Sequence, residues 1–164
     1  MSRSELHQMF VSEFSEARHS PIPVPQVGES IERELGTVLP LSYISFLQTH
    51  GAPYTPNILD LIVKNGKDTP DIRQFLTAED AVRNSQLYWS GGMSHQLIGF
   101  ASDCMGSMFC FQRLTLGTLR TDDAEVWFFD HDYCIEYKLA DSFDGLLLGF
   151  LTLKRTASTA EEVG

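Results

Sequence analysis

Between residues 97 and 140 the chain leaves little room for a crossover connection. LIGFA (97–101), MFCFQRL (108–114), EVWFFD (125–130) and EYKLA (136–140) follow one another as short apolar runs. Their Phe, Ile, Val and Trp content is that of strands. Parallel neighbours would need a connection of roughly a dozen residues or more, usually a helix. The stretches between these runs are shorter or polar: SDCMGS contains Gly106, and residues 115–124 form a polar loop with Asp122 and Asp123 near its end. The sheet is therefore expected to be mostly antiparallel. Side chains alternate along a strand, so Phe109 and Phe111 face one way, and Met108 and Cys110 the other.

Helical spacing brackets these strands. Leu6, Met9, Phe10, Phe14 and Ala17 define an amphipathic helix over 4–17. The segment SPIPVPQ follows, and its alternating prolines forbid helix. ESIERELG reads as a short helix stopped by Gly36. In LPLSYISFLQTHG, Pro40 suits the first helical position, Tyr43, Phe46, Leu47 and His50 share a face, and Gly51 ends the helix. NILDLIVKNGK predicts a strand at 58–64 with Asn65-Gly66 as its turn, and IRQFLT a second strand at 72–77. Thr77 with Asp80 caps a helix over 78–89. Asp141 or Ser142 starts the last helix, whose stripe is Phe143, Leu146, Leu147, Phe150 and Leu151; Leu148 and Leu153 lie outside it. RTASTAEEVG reads as a frayed tail. The expected organisation is a helical arm (1–20), a Pro-spaced linker (21–27), one α+β domain (28–154) with a mostly antiparallel sheet flanked by helices, and a tail (155–164).

The net charge of −10 is unevenly spread: residues 122–164 hold 3 basic and 10 acidic side chains, net −7, leaving −3 for the rest. Such a surface repels phosphate backbones and attracts a basic protein. No eighteen-residue apolar run exists, and the start lacks the apolar core of a secretory signal. Three cysteines without CxxC spacing, Cys104, Cys110 and Cys134, read as reduced thiols of a cytoplasmic protein.

The stretch VWFFDHDYCIEY (126–137) holds carboxylate, imidazole and thiol together. In a strand, Asp130 and Asp132 point to one face and His131 to the other, so the three do not converge on a metal without a bulge or turn. His131-x-x-Cys134 is half of a zinc spacing with no second half nearby. The favoured reading is a core strand reaching its polar end, where Asp starts a turn. His50 reads as a last-turn residue favoured by the helix dipole, and Met93 to His95 as a loop rather than a phosphate cradle. No GxSxG, GxGxxG or P-loop sequence occurs. Tyr54, Tyr88, Trp89, Trp127 and Tyr133 read mainly as packing residues, with some left exposed as interface anchors.

Four pieces in order, IERELGTVLPLSYISFLQTHGAP, LIGFASDCMGSMFCFQ, EVWFFDHD and LADSFDGLLLGFL, resemble the SUKH superfamily, the Smi-one/Knr-four type of domain. The matching positions are Ile31, Glu34, Leu35, Leu39, Pro40, Tyr43, Phe46, Leu47 and Gly51; Ile98, Gly99, Phe100, Asp103, Gly106 and Phe109; Val126, Phe128, Phe129, Asp130, His131 and Asp132; and Ser142 and Phe143. The resemblance covers roughly residues 28–151. His50 replaces the usual asparagine before the glycine, and the Pro-spaced arm lies outside the pattern. The resemblance implies a binding domain. Bacterial members act as cytoplasmic immunity proteins of toxin systems and bind a cognate toxin, often a nuclease; fungal relatives act in cell-wall regulation. No shared catalytic set comes with it.

The expectation is thus a non-catalytic protein that neutralises a basic toxin by stoichiometric binding, through a surface of Asp103, Asp122, Asp123, Trp127, Asp130, Asp132 and Tyr133. No cofactor, no metal, no direct nucleic-acid contact and no membrane contact are expected, and oligomeric state is left open. The rivals are a regulatory scaffold and a metal-dependent hydrolase built on Asp130, His131 and Asp132.

Overall fold

The computed structural model describes residues 1–16 and 26–163, and they form an α+β domain. The elements are α1 (Arg3–Phe14), α2 (Val27–Leu35), α3 (Leu41–His50), α4 (Asn57–Lys64), β1 (Gln74–Phe75), α5 (Ala78–Ser90), β2 (Leu97–Ser102), β3 (Met108–Gln112), β4 (Val126–Asp130), β5 (Ile135–Ala140) and α6 (Phe143–Glu162). The five strands lie in sequence order, β1-β2-β3-β4-β5, and every neighbouring pair is antiparallel. This is the sheet that the short connections require.

The two faces of β3 divide the core. Phe109 and Phe111 join Phe100, Tyr43, Phe46, Phe75 and Phe143, whose rings touch at stacked, tilted and edge-on angles. Helices α3 and α6 supply the rings that close this side. Met108 and Cys110 face α5 and the loop after it, where Cys110 Sγ lies 3.9 Å from Met93. The Gly99 amide donates to Ser85 Oγ of α5 at 2.9 Å. A Cβ on Gly99 would stand 2.1 Å from Met108 Cε, so the Met108 thioether fills the space a side chain there would take and would have to swing away from it.

Several expectations are corrected. Residues 58–64 form helix α4 rather than a strand. Ile58 and Ile62, four apart, are buried, whereas Val63 is 68% exposed. The apolar run fits both periods, and the helical one wins because i and i+4 reach the core together. Asn65-Gly66 then ends a helix instead of turning a hairpin: Asn65 Nδ2 donates to the Leu61 carbonyl at 2.8 Å. The strand expected at 72–77 shrinks to Gln74–Phe75, because Thr77 is already the N-cap of α5 and accepts the Asp80 amide.

The expected arm is an integral part of the core. Helix α1 starts with a reciprocal capping box between Ser2 and Glu5, and its Phe10 is fully buried against Phe14, Phe46, Phe75 and Phe150. Of the linker expected at 21–27, residues 21–25 lie outside the described residues and Val27 opens α2. Finally, α6 continues through the expected tail to Glu162. Its expected stripe is buried: Phe143, Leu146, Leu147, Phe150 and Leu151. Among the described residues no helix is long and apolar enough to cross a membrane.

Candidate partner-binding surface

Antiparallel order puts the β2–β3 turn and the β4–β5 turn at the same end of the sheet. Each is built around an aspartate. Asp103 Oδ1 accepts the Met105 amide at 2.9 Å and the Ser107 amide at 2.8 Å, and Gly106 takes the positive φ of 89° that the turn needs. Asp130 Oδ1 accepts the Asp132 amide at 3.0 Å and the Tyr133 amide at 3.4 Å. Short carboxylate side chains that satisfy their own turn are the reason aspartate is favoured there.

A second layer stitches the turns together. Ser107 Oγ lies 2.9 Å from His131 Nδ1 and accepts the His131 amide at 3.2 Å. The Tyr88 hydroxyl donates to the Gly106 carbonyl, and its ring stacks on His131 at 6.5 Å and 20°. His131 Nε2 stands 3.4 Å from an Asp132 carboxylate oxygen. Serine, histidine and aspartate thus lie in a row, yet Ser107 is 3% exposed and its oxygen already takes the His131 amide. The row joins the β2–β3 turn to the β4–β5 turn. Its result is a rigid rim: Asp103 half-buried, Asp132 and Tyr133 outward, with Tyr133 77% exposed.

The seven expected residues do not make one surface. Asp103, Asp130, Asp132 and Tyr133 share the rim. Asp122 and Asp123 lie beyond the other end of β4, five residues away at about 3.3 Å each. There Asp122 pairs with Arg3 (Nη2–Oδ2 2.7 Å), which also holds Asp144 (Nε–Oδ2 2.7 Å). The Arg3 guanidinium lowers the Asp122 carboxyl. Asp123 is structural: its Oδ1 accepts the Ser42 hydroxyl at 2.8 Å, the Ala124 amide at 2.8 Å and the Phe143 amide at 2.9 Å, while Oδ2 accepts the Asp144 amide at 3.2 Å. Trp127 sits mid-strand opposite Cys110, half-buried, with its indole nitrogen buried and unpartnered.

Other groups near the rim were not visible in the sequence. Asp71 is 4% exposed and its Oδ2 is buried without a hydrogen-bond partner. Burial raises the Asp103 carboxyl, backbone amides of Ser107 and Met105 oppose it, and the Asp71 charge adds to the rise. Burial and then the Asp71 charge push the Cys104 thiol up. The loop over 115–124 is pinned rather than free: the Thr121 and Asp122 carbonyls accept the Leu41 and Ser42 amides that open α3, and Arg120 binds the Leu39 carbonyl and Glu32. Among the described residues no three His, Cys, Asp or Glu side chains are grouped to hold a metal ion.

Five antiparallel strands in sequence order, with an aspartate opening each of the paired turns, are the setting for a match to a family model over residues 28–149. The chain belongs to the SMI1 / KNR4 family (SUKH-1). No curated protein matches it. The SUKH-1 match begins at α2 and ends within α6, so α1, with Phe10 at the centre of the core, is an element of this chain outside the matched span.

Proposed function

We propose that this SUKH-1 protein is an immunity protein: it binds a cognate toxin, a basic protein of the nuclease kind, and neutralises it stoichiometrically in the cytoplasm without catalysis. The observation that supports this most is the clamped rim, where Asp103, Asp130, Asp132 and Tyr133 stand on rigid turns. Preformed carboxylates beside an exposed tyrosine lower the ordering cost of binding and favour a cationic partner. An acidic rim of this kind covers a basic substrate groove, or the surface beside it. Asp122 and Asp123, tied to Arg3 and α6, are left out of the contact.

The test is survival of cells producing the toxin together with either wild type or the triple variant Asp130→Asn, Asp132→Asn, Tyr133→Ala. The wild type is expected to protect and the variant, checked for an unchanged fold, to protect poorly. Full protection by the folded variant contradicts this surface.

A further inference from the structure

Strand β5 is the outer strand of the sheet, paired with β4 and, among the described residues, with no strand on its other side. Four consecutive residues, Ile135, Glu136, Tyr137 and Lys138, are exposed. An open edge of this kind presents backbone N–H and C=O groups to any extended chain. Proteins commonly blunt such an edge with a lysine. Here Lys138 is held by Asp141 at 2.8 Å and Glu125 at 3.2 Å, so two carboxylates offset its charge.

Ile135, Tyr137 and Leu139 alternate on one face of β5, and at the C-terminal end of the strand Leu139 and Ala140 line an apolar groove of about 380 Å³ between β5, α6 and residues 67–69. Leu139, Leu146 and Phe150 line it, and α6 presents Gly145 and Gly149 to it, with no atom within 4 Å of a Cβ placed at Gly149. Asp68 stands on its margin. Burial, and then the charges of Asp130, Asp68 and Asp103, push the Tyr137 hydroxyl up.

We propose that β5 is a strand-addition site for an extended segment of the partner in which apolar and basic residues alternate. Main-chain hydrogen bonds extend the sheet by one strand, an apolar side chain enters the groove beside Leu139, and the intervening Lys or Arg residues meet the carboxylates around Lys138 and that of Glu136, whose Oε1 also accepts the Ser94 amide at 2.6 Å. A second copy of this chain is the wrong occupant, because it brings a further net charge of −10 to an edge that is already acidic. This inference rests on the partner-binding reading above and extends the rim along the strand that begins at the β4–β5 turn.

The experiment uses the isotope-labelled full chain and a short synthetic peptide alternating Lys and Val, followed by NMR. Saturable shifts are expected at the amides of residues 135–140. The same composition with a central proline keeps the charge but breaks the ladder, and is expected to bind about tenfold more weakly. Glu136→Lys is expected to weaken the Lys-Val peptide by about tenfold, since like charges then face each other across the pair. Equal binding of the proline peptide, or shifts scattered over acidic residues away from β5, overturns strand addition. A toxin that still binds under those results leaves the immunity reading intact and refutes only this site; peptide binding at β5 with no toxin found does the reverse.

Discussion

Asp123→Asn separates a structural carboxylate from a binding one. The side chain accepts two amides of the first turn of α6, Phe143 and Asp144, plus the Ser42 hydroxyl and the Ala124 amide. Ser142 takes the next amide, that of Gly145, through its hydroxyl at 2.9 Å. Asparagine keeps one oxygen for three of these donors but turns the other into an NH₂ group, which meets the Asp144 amide donor to donor. Flipping the amide is worse, because two backbone N–H groups then face a donor. An unsatisfied buried amide costs about 1–3 kcal/mol, and the lost negative charge at a helix N-terminus about 0.3–1 kcal/mol. The sum is about 1–4 kcal/mol. With a urea dependence of about 2 kcal/mol per molar, the middle of the usual range, the midpoint moves down by about 0.5–2 M. Urea denaturation by circular dichroism measures it, and the slope should stay constant. Asp122→Asn, at an exposed ion pair, is the control and should leave the midpoint nearly unchanged. A loss under about 0.5 kcal/mol for Asp123→Asn, with toxin binding abolished, refutes the argument and returns Asp123 to the interface.

Phe128→Ala should cost about 3–5 kcal/mol in the same assay, as buried aromatic truncations do, because Phe128 is 4% exposed and its ring meets Phe109 edge-on at 5.2 Å and Tyr137 at 5.5 Å. His50 is held below its ordinary value of 6.5, first by burial and then by the His7 charge. The unfolded chain therefore binds that proton more readily, and the stability present above pH 6.5 is lost as pH falls from 6.5 through the lowered folded value. Stability profiles of wild type and His50→Gln should coincide above that pH and separate below it, the variant losing less; parallel profiles contradict the assignment.

What the sequence discloses depends on how local each cause is. The sheet follows from period-two runs and short connections, and α3 from a stripe bounded by Pro40 and Gly51, all readable within a dozen residues or so. Helix α4 is not legible locally, because Ile58, Leu61, Ile62 and Val63 satisfy both periods and only the core selects Ile58 and Ile62. The role of α1 lay equally out of reach, since Phe10 meets Phe150 across the chain. Among the site residues, Asp103 and Asp130 are readable as turn formers because their acceptors are two to four residues away. Asp123 looks the same as Asp122 in sequence, and its partners at Ser42 and Phe143 are set by the tertiary fold alone. Asp71 gave no signal, since its burial depends on neighbours supplied by β2 and its turn.

The claim that this SUKH-1 protein neutralises a toxin through its acidic rim is tested most directly by calorimetric titration. The purified product of the neighbouring gene is titrated into the full chain at low and high salt, beside the variant Asp130→Asn, Asp132→Asn, Tyr133→Ala. The account predicts a one-to-one complex that weakens as salt rises and a loss of about tenfold or more in affinity for the variant. Binding that is insensitive to salt and identical for wild type and variant, or no binding at all, contradicts it.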